Sequence, residues 1–152
     1  MEDQIIRKIE LAAPVEKVWQ SIADVKEFEQ WFHCKYDGPF EEGRILKGVS
    51  TYGLEEEYRW DAKIVSIQPI HYFSFAWCPI DDAQGINFDN DAHTLVEFKL
   101  QASETGCLLT VIESGFSKLP ADQASEAFDA NSGGWDEQMK NISIHVENRS
   151  DS

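Results

Sequence analysis

The feature that most constrains this chain is a stripe near its C-terminus, where Trp135, Met139, Ile142 and Val146 recur at i, i+4, i+7 and i+11. With 3.6 residues per turn these side chains share one face of a helix running from about Gly134 to Asn148, and that face has to be covered by apolar material. The cover is present upstream. Phe73, Phe75 and Trp77 alternate with Tyr72, Ser74 and Ala76, and Val96, Phe98 and Leu100 alternate with Glu97, Lys99 and Gln101. A period of two sends each apolar set to one side of a strand, so these segments build a sheet with an aromatic face.

The remaining pattern fits the same plan. Gln4 to Leu11 alternates, with Ile5, Arg7, Ile9 and Leu11 opposed to Ile6, Lys8 and Glu10, and predicts the first strand. Pro14 suits the first turn of a helix, after which Val15, Val18, Trp19 and Ile22 follow helical spacing. Asp24 is placed to cap a second short helix, Lys26 to Phe32, with Phe28, Trp31 and Phe32 close to one face. From Gly43 the pattern turns to strands at about Arg44 to Tyr52, Tyr58 to Ile67, Tyr72 to Cys78, Thr94 to Ala102 and Cys107 to Phe116. Leu119 to Asn131 reads as a helix opened by Pro120, and Ser132-Gly133-Gly134 predicts a break or kink before the final helix. Pro79 to Asp91, rich in Asp, Asn and Gly, is the expected long loop. The result is an α+β architecture in one domain over residues 1–152, with an ordered core of about 4–148: an antiparallel sheet of about six strands, two short helices after strand 1 and a long C-terminal helix.

Composition narrows the partners. The net charge of −15 repels phosphate backbones and anionic headgroups, so nucleic acid is not expected as a partner. No run approaches the roughly 20 apolar residues of a membrane span, and the opening Met1-Glu2-Asp3 has neither the basic nor the apolar part of a signal peptide, which predicts a cytosolic protein. Cys34, Cys78 and Cys107 form no CxxC and are expected to be reduced, partly buried thiols.

Several short motifs narrow the identity. Ala12-Ala13-Pro14-Val15-Glu16-Lys17-Val18-Trp19 follows the first strand, Trp31 closes the second helix, and Phe73-Ser74-Phe75-Ala76-Trp77, Glu113-Ser114-Gly115-Phe116 and Gly133-Gly134-Trp135 come in order after it. In this sequence and spacing, from about Ile5 to Val146, the chain resembles the homologues of the ninety-kilodalton heat-shock protein's ATPase activator. That family lies within the START-like superfamily of the birch-pollen-allergen fold and aromatase/cyclase domains. The resemblance implies the helix-grip fold, in which a curved sheet wraps the last helix and in some relatives leaves a ligand cavity. The extra domain of the full co-chaperone is missing from this sequence, so direct chaperone activation is not implied.

The candidate ligand-binding set is the inward aromatic group Tyr58, Trp60, Phe73, Phe75, Trp77 and Phe98 on the sheet, with Trp135 and Met139 on the helix. Two outcomes are open: these side chains fill the interior as a solid core, or the bent sheet leaves a cavity for a small apolar or amphipathic molecule. Glu113 is the informative polar residue, since alternation with Leu109 and Val111 turns it inward near a strand end. Buried there, it either satisfies a backbone or Trp N–H, or serves as ligand anchor, general acid or base in a cyclase, isomerase or hydrolase. Arg59, Asp61 and Lys63 alternate against Trp60 and Ala62 and are expected on a solvated face. His33, His71, His93 and His145 lack metal-binding spacing, and His93 with Asp89 and Asp91 lacks the EF-hand pattern, so no metal is expected. No cofactor is expected, because P-loop, GxGxxG and GxSxG motifs are missing. A protein-interaction module, or a homodimer through a sheet edge, is the remaining reading.

Overall fold

The computed structural model describes residues 3–50, 61–78 and 93–149. Tyr58, Arg59 and Trp60, and Pro79 to Asp91, where a long loop was expected, lie outside these residues. The chain opens with β1 (Gln4–Leu11), followed by α1 (Val15–Ala23) and α2 (Val25–Phe32). Short strands β2 (Cys34–Tyr36), β3 (Ile45–Leu46) and β4 (Gly48–Ser50) lead to β5 (Ala62–Gln68), β6 (Tyr72–Trp77), β7 (Thr94–Ala102) and β8 (Cys107–Ser114). A 3-10 turn (Phe116–Lys118) then delivers the chain to α3 (Ala121–Arg149). Six strands form one antiparallel sheet in the order β1-β8-β7-β6-β5-β3, and β2 pairs with β4 in a second small sheet. The helix-grip expected from the sequence is the fold observed.

The two short helices are set by their boundaries. Pro14, one residue earlier than expected, is the N-cap of α1, where its carbonyl accepts from Lys17 and Val18 N–H at 3.0 and 3.2 Å. Asp24 ends α1 and starts α2, its carboxylate accepting the Lys26 N–H at 3.0 Å. His33 closes α2 in the left-handed region at φ 61°. Trp31 Nε1 donates to the Ser21 carbonyl at 2.8 Å, which locks the two helices into a V.

Three expectations are corrected. The segment from Arg44 to Tyr52 does not form one strand; it changes sheets at Lys47 between β3 and β4. The Lys47 backbone is held by Asp37, whose N–H donates to the Lys47 carbonyl at 3.1 Å and whose carboxylate accepts the Lys47 N–H at 3.0 Å. Asp61 takes part in the same junction: it is buried, accepting the Gly48 N–H at 3.1 Å, and does not belong to a solvated face. It stands just before β5, so strand alternation did not apply to it.

The third correction concerns the C-terminal helix, which runs without a break through Ser132-Gly133-Gly134. A helix-interior glycine costs only about 1 kcal/mol relative to alanine, and the buried positions on either side, Ala124 and Ala127 before and Trp135 and Met139 after, outweigh it. Arg7 on β1 also bridges the glycine pair, donating to the Ser132 carbonyl at 3.2 Å and the Asp136 carboxylate at 2.7 Å. The helix is tied down further along, where Glu147 accepts the Ala12 N–H at 2.9 Å and Gln138 Nε2 donates to the Phe32 carbonyl at 3.2 Å.

The core lies between the sheet's inner face and this helix. Ile5, Leu11, Ile64, Phe73, Phe75, Val96, Phe98, Leu109 and Val111 from the strands meet Trp135, Met139, Ile142 and Val146, with Phe28 and Phe32 of α2 closing one side. Gly106, in the β7–β8 hairpin at φ 152°, lies so close to β1 that a Cβ there would stand 2.1 Å from the Leu11 carbonyl oxygen, so glycine is required. Among the described residues Cys34 and Cys107 are free thiols, and both are buried. Burial, reinforced by the nearby Glu29 charge, pushes the Cys34 thiol far above its ordinary range and leaves little thiolate. In the native protein, Cys34 is expected to resist iodoacetamide until global unfolding exposes it; mass spectrometry of alkylated peptides in rising urea would detect modification before the unfolding transition and so refute this.

Candidate functional site

The register across the sheet sets the site. Val96 on β7 is paired with both Phe75 on β6 and Glu113 on β8, and one step further along the same face Trp77 is paired with Thr94. Glu113 therefore emerges beside Thr94 and Trp77, near one end of the sheet and opposite the middle of α3. It is completely buried. Four residues donate to its two oxygens. Oε1 accepts Trp135 Nε1–H at 2.8 Å and Asn131 Nδ2–H at 2.9 Å. Oε2 accepts Trp77 Nε1–H at 2.8 Å, the Thr94 hydroxyl at 2.5 Å and Asn131 Nδ2–H at 3.1 Å. An ionised carboxylate is an acceptor only, and converging N–H and O–H donors are what it needs when removed from water. Three strands and the helix are thereby joined through one side chain.

Inside this anchor the aromatic side chains pack against one another. Phe98 contacts Phe28, Phe73, Phe75 and Trp135 with ring centroids 6.0–6.5 Å apart. Phe28 and Phe32 stack at 4.7 Å, and Phe32 reaches Trp77 at 5.8 Å and Trp135 at 6.0 Å. Of the two outcomes left open by the sequence, the middle of the grip takes the first: Phe73, Phe75, Phe98 and Met139 stand in packed core.

Open space is found at the end of the grip. A pocket of about 320 Å³ lies between the C-terminus of α2, the end of β6 and the middle of α3, lined by Phe32, Trp77, Ala130, Asn131, Gly134, Trp135, Glu137 and Gln138. Of the expected ligand-binding residues within the described structure, Trp77 and Trp135 line this pocket, and Glu113 stands behind them through their indole N–H groups. Sequence reasoning missed Thr94, Asn131, Gln138 and Gly134. A signal existed for three of them. Thr94 shares the alternation of Val96 and Phe98, Asn131 is one turn before Trp135, and Gln138 is three residues after it on the same stripe. No sequence signal distinguished Gly134, because a glycine pair reads as punctuation.

A six-stranded antiparallel sheet packed on a long C-terminal helix, with two short helices after the first strand, is the helix-grip of START-like proteins. The chain belongs to the family described as activator of Hsp90 ATPase homolog 1-like protein, which residues 12–147 match. No curated protein matches the sequence. Among solved structures, a protein of Mesorhizobium loti is similar at 19% identity and TM-score 0.75, over 95% of this chain and 97% of its own. A protein of Arthrobacter aurescens superposes with TM-score 0.78 at 17% identity, over 95% of this chain and 86% of its own. CalU16 from Micromonospora echinospora gives 0.66 at 18% identity, over 94% and 75%. Identities this low speak for the fold alone.

Among the described residues no helix is long and apolar enough to cross a membrane. No group of three His, Cys, Asp or Glu among them is arranged to hold a metal ion.

Proposed function

We propose that the protein binds a small, flat, mainly apolar molecule in the pocket at Trp77 and Trp135. The observation that carries this reading is the pocket itself, about 320 Å³ walled by the rings of Phe32, Trp77 and Trp135 with a bare Gly134 at its side. That volume lies within the ~300–1,000 Å³ usual for small-molecule sites. Rings held by neighbours offer flat contact area with little rotamer entropy left to lose on binding. Glu113 supports the walls in this reading, because every donor that reaches it would have to be displaced before it could take a proton from a bound molecule. The buried, free thiols of Cys34 and Cys107 fit a reducing cytosolic setting.

The test is a titration with N-phenyl-1-naphthylamine, a flat neutral probe whose fluorescence rises on leaving water. A saturable, one-site rise at micromolar concentrations, with matching quenching of tryptophan emission, is expected. A linear, non-saturating signal with unchanged tryptophan emission would dismiss the proposal.

A further inference from the structure

The polar atoms around the pocket are unequally available, and this selects a class of ligand within the function proposed above. Among the described lining residues four side chains carry N–H donors, and each makes a hydrogen bond inside the protein. Trp77 Nε1, Trp135 Nε1 and Asn131 Nδ2 all donate to Glu113, and Gln138 Nε2 donates to the Phe32 carbonyl. The orientation of the Asn131 amide is fixed by chemistry, since a carboxylate accepts only and the NH2 group must face it. Its carbonyl Oδ1 is directed away from Glu113 and makes no hydrogen bond to the described residues, on a residue that lines the pocket. The charged group among the described lining residues is the carboxylate of Glu137. The wall thus offers acceptors to an occupant, with the buried Glu113 carboxylate behind it and no Lys or Arg among the described lining residues.

We infer that the pocket selects uncharged, flat aromatic molecules bearing a hydroxyl or N–H donor, which the Asn131 carbonyl receives, and that it rejects aromatic carboxylates. This inference rests on the pocket being a binding site at all. A donor on the ligand gains a hydrogen bond in a low-dielectric site, whereas an anion there meets two carboxylates and no compensating cation. The overall charge of −15 acts in the same direction at longer range.

Three matched molecules test this at pH 7 by displacing N-phenyl-1-naphthylamine from the wild-type protein: 2-naphthol, 2-methoxynaphthalene and 2-naphthoate. The ring is constant and only the substituent changes. The hydroxyl compound should displace the probe at about fivefold lower concentration than the methyl ether, and the carboxylate should be weakest by tenfold or more. Asn131→Ala should bring the naphthol-to-ether ratio close to one, a ratio in which any general loss of affinity from removing a pocket-wall side chain cancels. Equal displacement by naphthol and its ether, or naphthoate as the strongest, overturns the inference and leaves the pocket in place. Failure of the probe itself to bind removes both the pocket and its selectivity.

Discussion

Replacing Glu113 by Gln is expected to lower the unfolding free energy by about 3 kcal/mol, although the two side chains have nearly the same shape. The carboxylate receives Trp135 and Asn131 on one oxygen and Trp77, Thr94 and Asn131 on the other. A glutamine must put an NH2 group in one of those two places. The Thr94 hydroxyl can rotate and the Asn131 amide can turn, but an indole N–H can only donate. In either orientation one tryptophan N–H therefore faces another donor, at a side-chain position buried from solvent. Denaturant unfolding gives the measurement, read as a shift in midpoint at constant slope. Trp135→Phe is the companion variant: it removes one donor and leaves the carboxylate three residues, so its cost should be smaller, about 1 kcal/mol. If Glu113→Gln changes stability by less than about 0.5 kcal/mol, the carboxylate is not an anchor, and its use as an acid or base becomes the better account.

The contrast between what could and could not be read in the sequence follows from the range of the forces involved. Alternation in Thr94–Ala102 and Cys107–Ser114, and the Trp135–Val146 stripe, are local consequences of burying one face, so both strands and the inward position of Glu113 were legible. Glycine punctuation misled at Gly133 and Gly134, because the helix there is held by Arg7, 125 residues away from Ser132 in sequence. No window around the glycines contains that information. Asp61 failed for a related reason: its partner is the Gly48 backbone of a different sheet, and its burial was decided by a junction between strands. The size of the space between helix and sheet was equally inaccessible, since it depends on how Phe28 and Phe32 from α2 fill the middle while leaving the end beside Trp77 open. Patterns name the faces, and packing decides what room is left between them.

That remaining room gives Gly134 an expected signature in which stability and binding move in opposite directions. A Cβ built on Gly134 meets no atom within 4 Å, and the same holds for Gly133, so close packing against a neighbour requires neither glycine. Each nevertheless weakens the helix by roughly 1 kcal/mol relative to alanine. Only Gly134 lines the pocket. Gly133→Ala should therefore raise stability by about 1 kcal/mol and leave N-phenyl-1-naphthylamine binding unchanged. Gly134→Leu should also unfold at higher denaturant than the wild type, by somewhat less than an alanine would give, yet bind the probe at least tenfold more weakly because its side chain occupies space the ligand needs. A merely damaged fold would lose stability and binding together, so the opposed signs identify occupancy of the pocket as the cause. Unchanged probe affinity in Gly134→Leu would mean that the molecule is bound elsewhere on the protein, and the site at Trp77 and Trp135 would have to be given up.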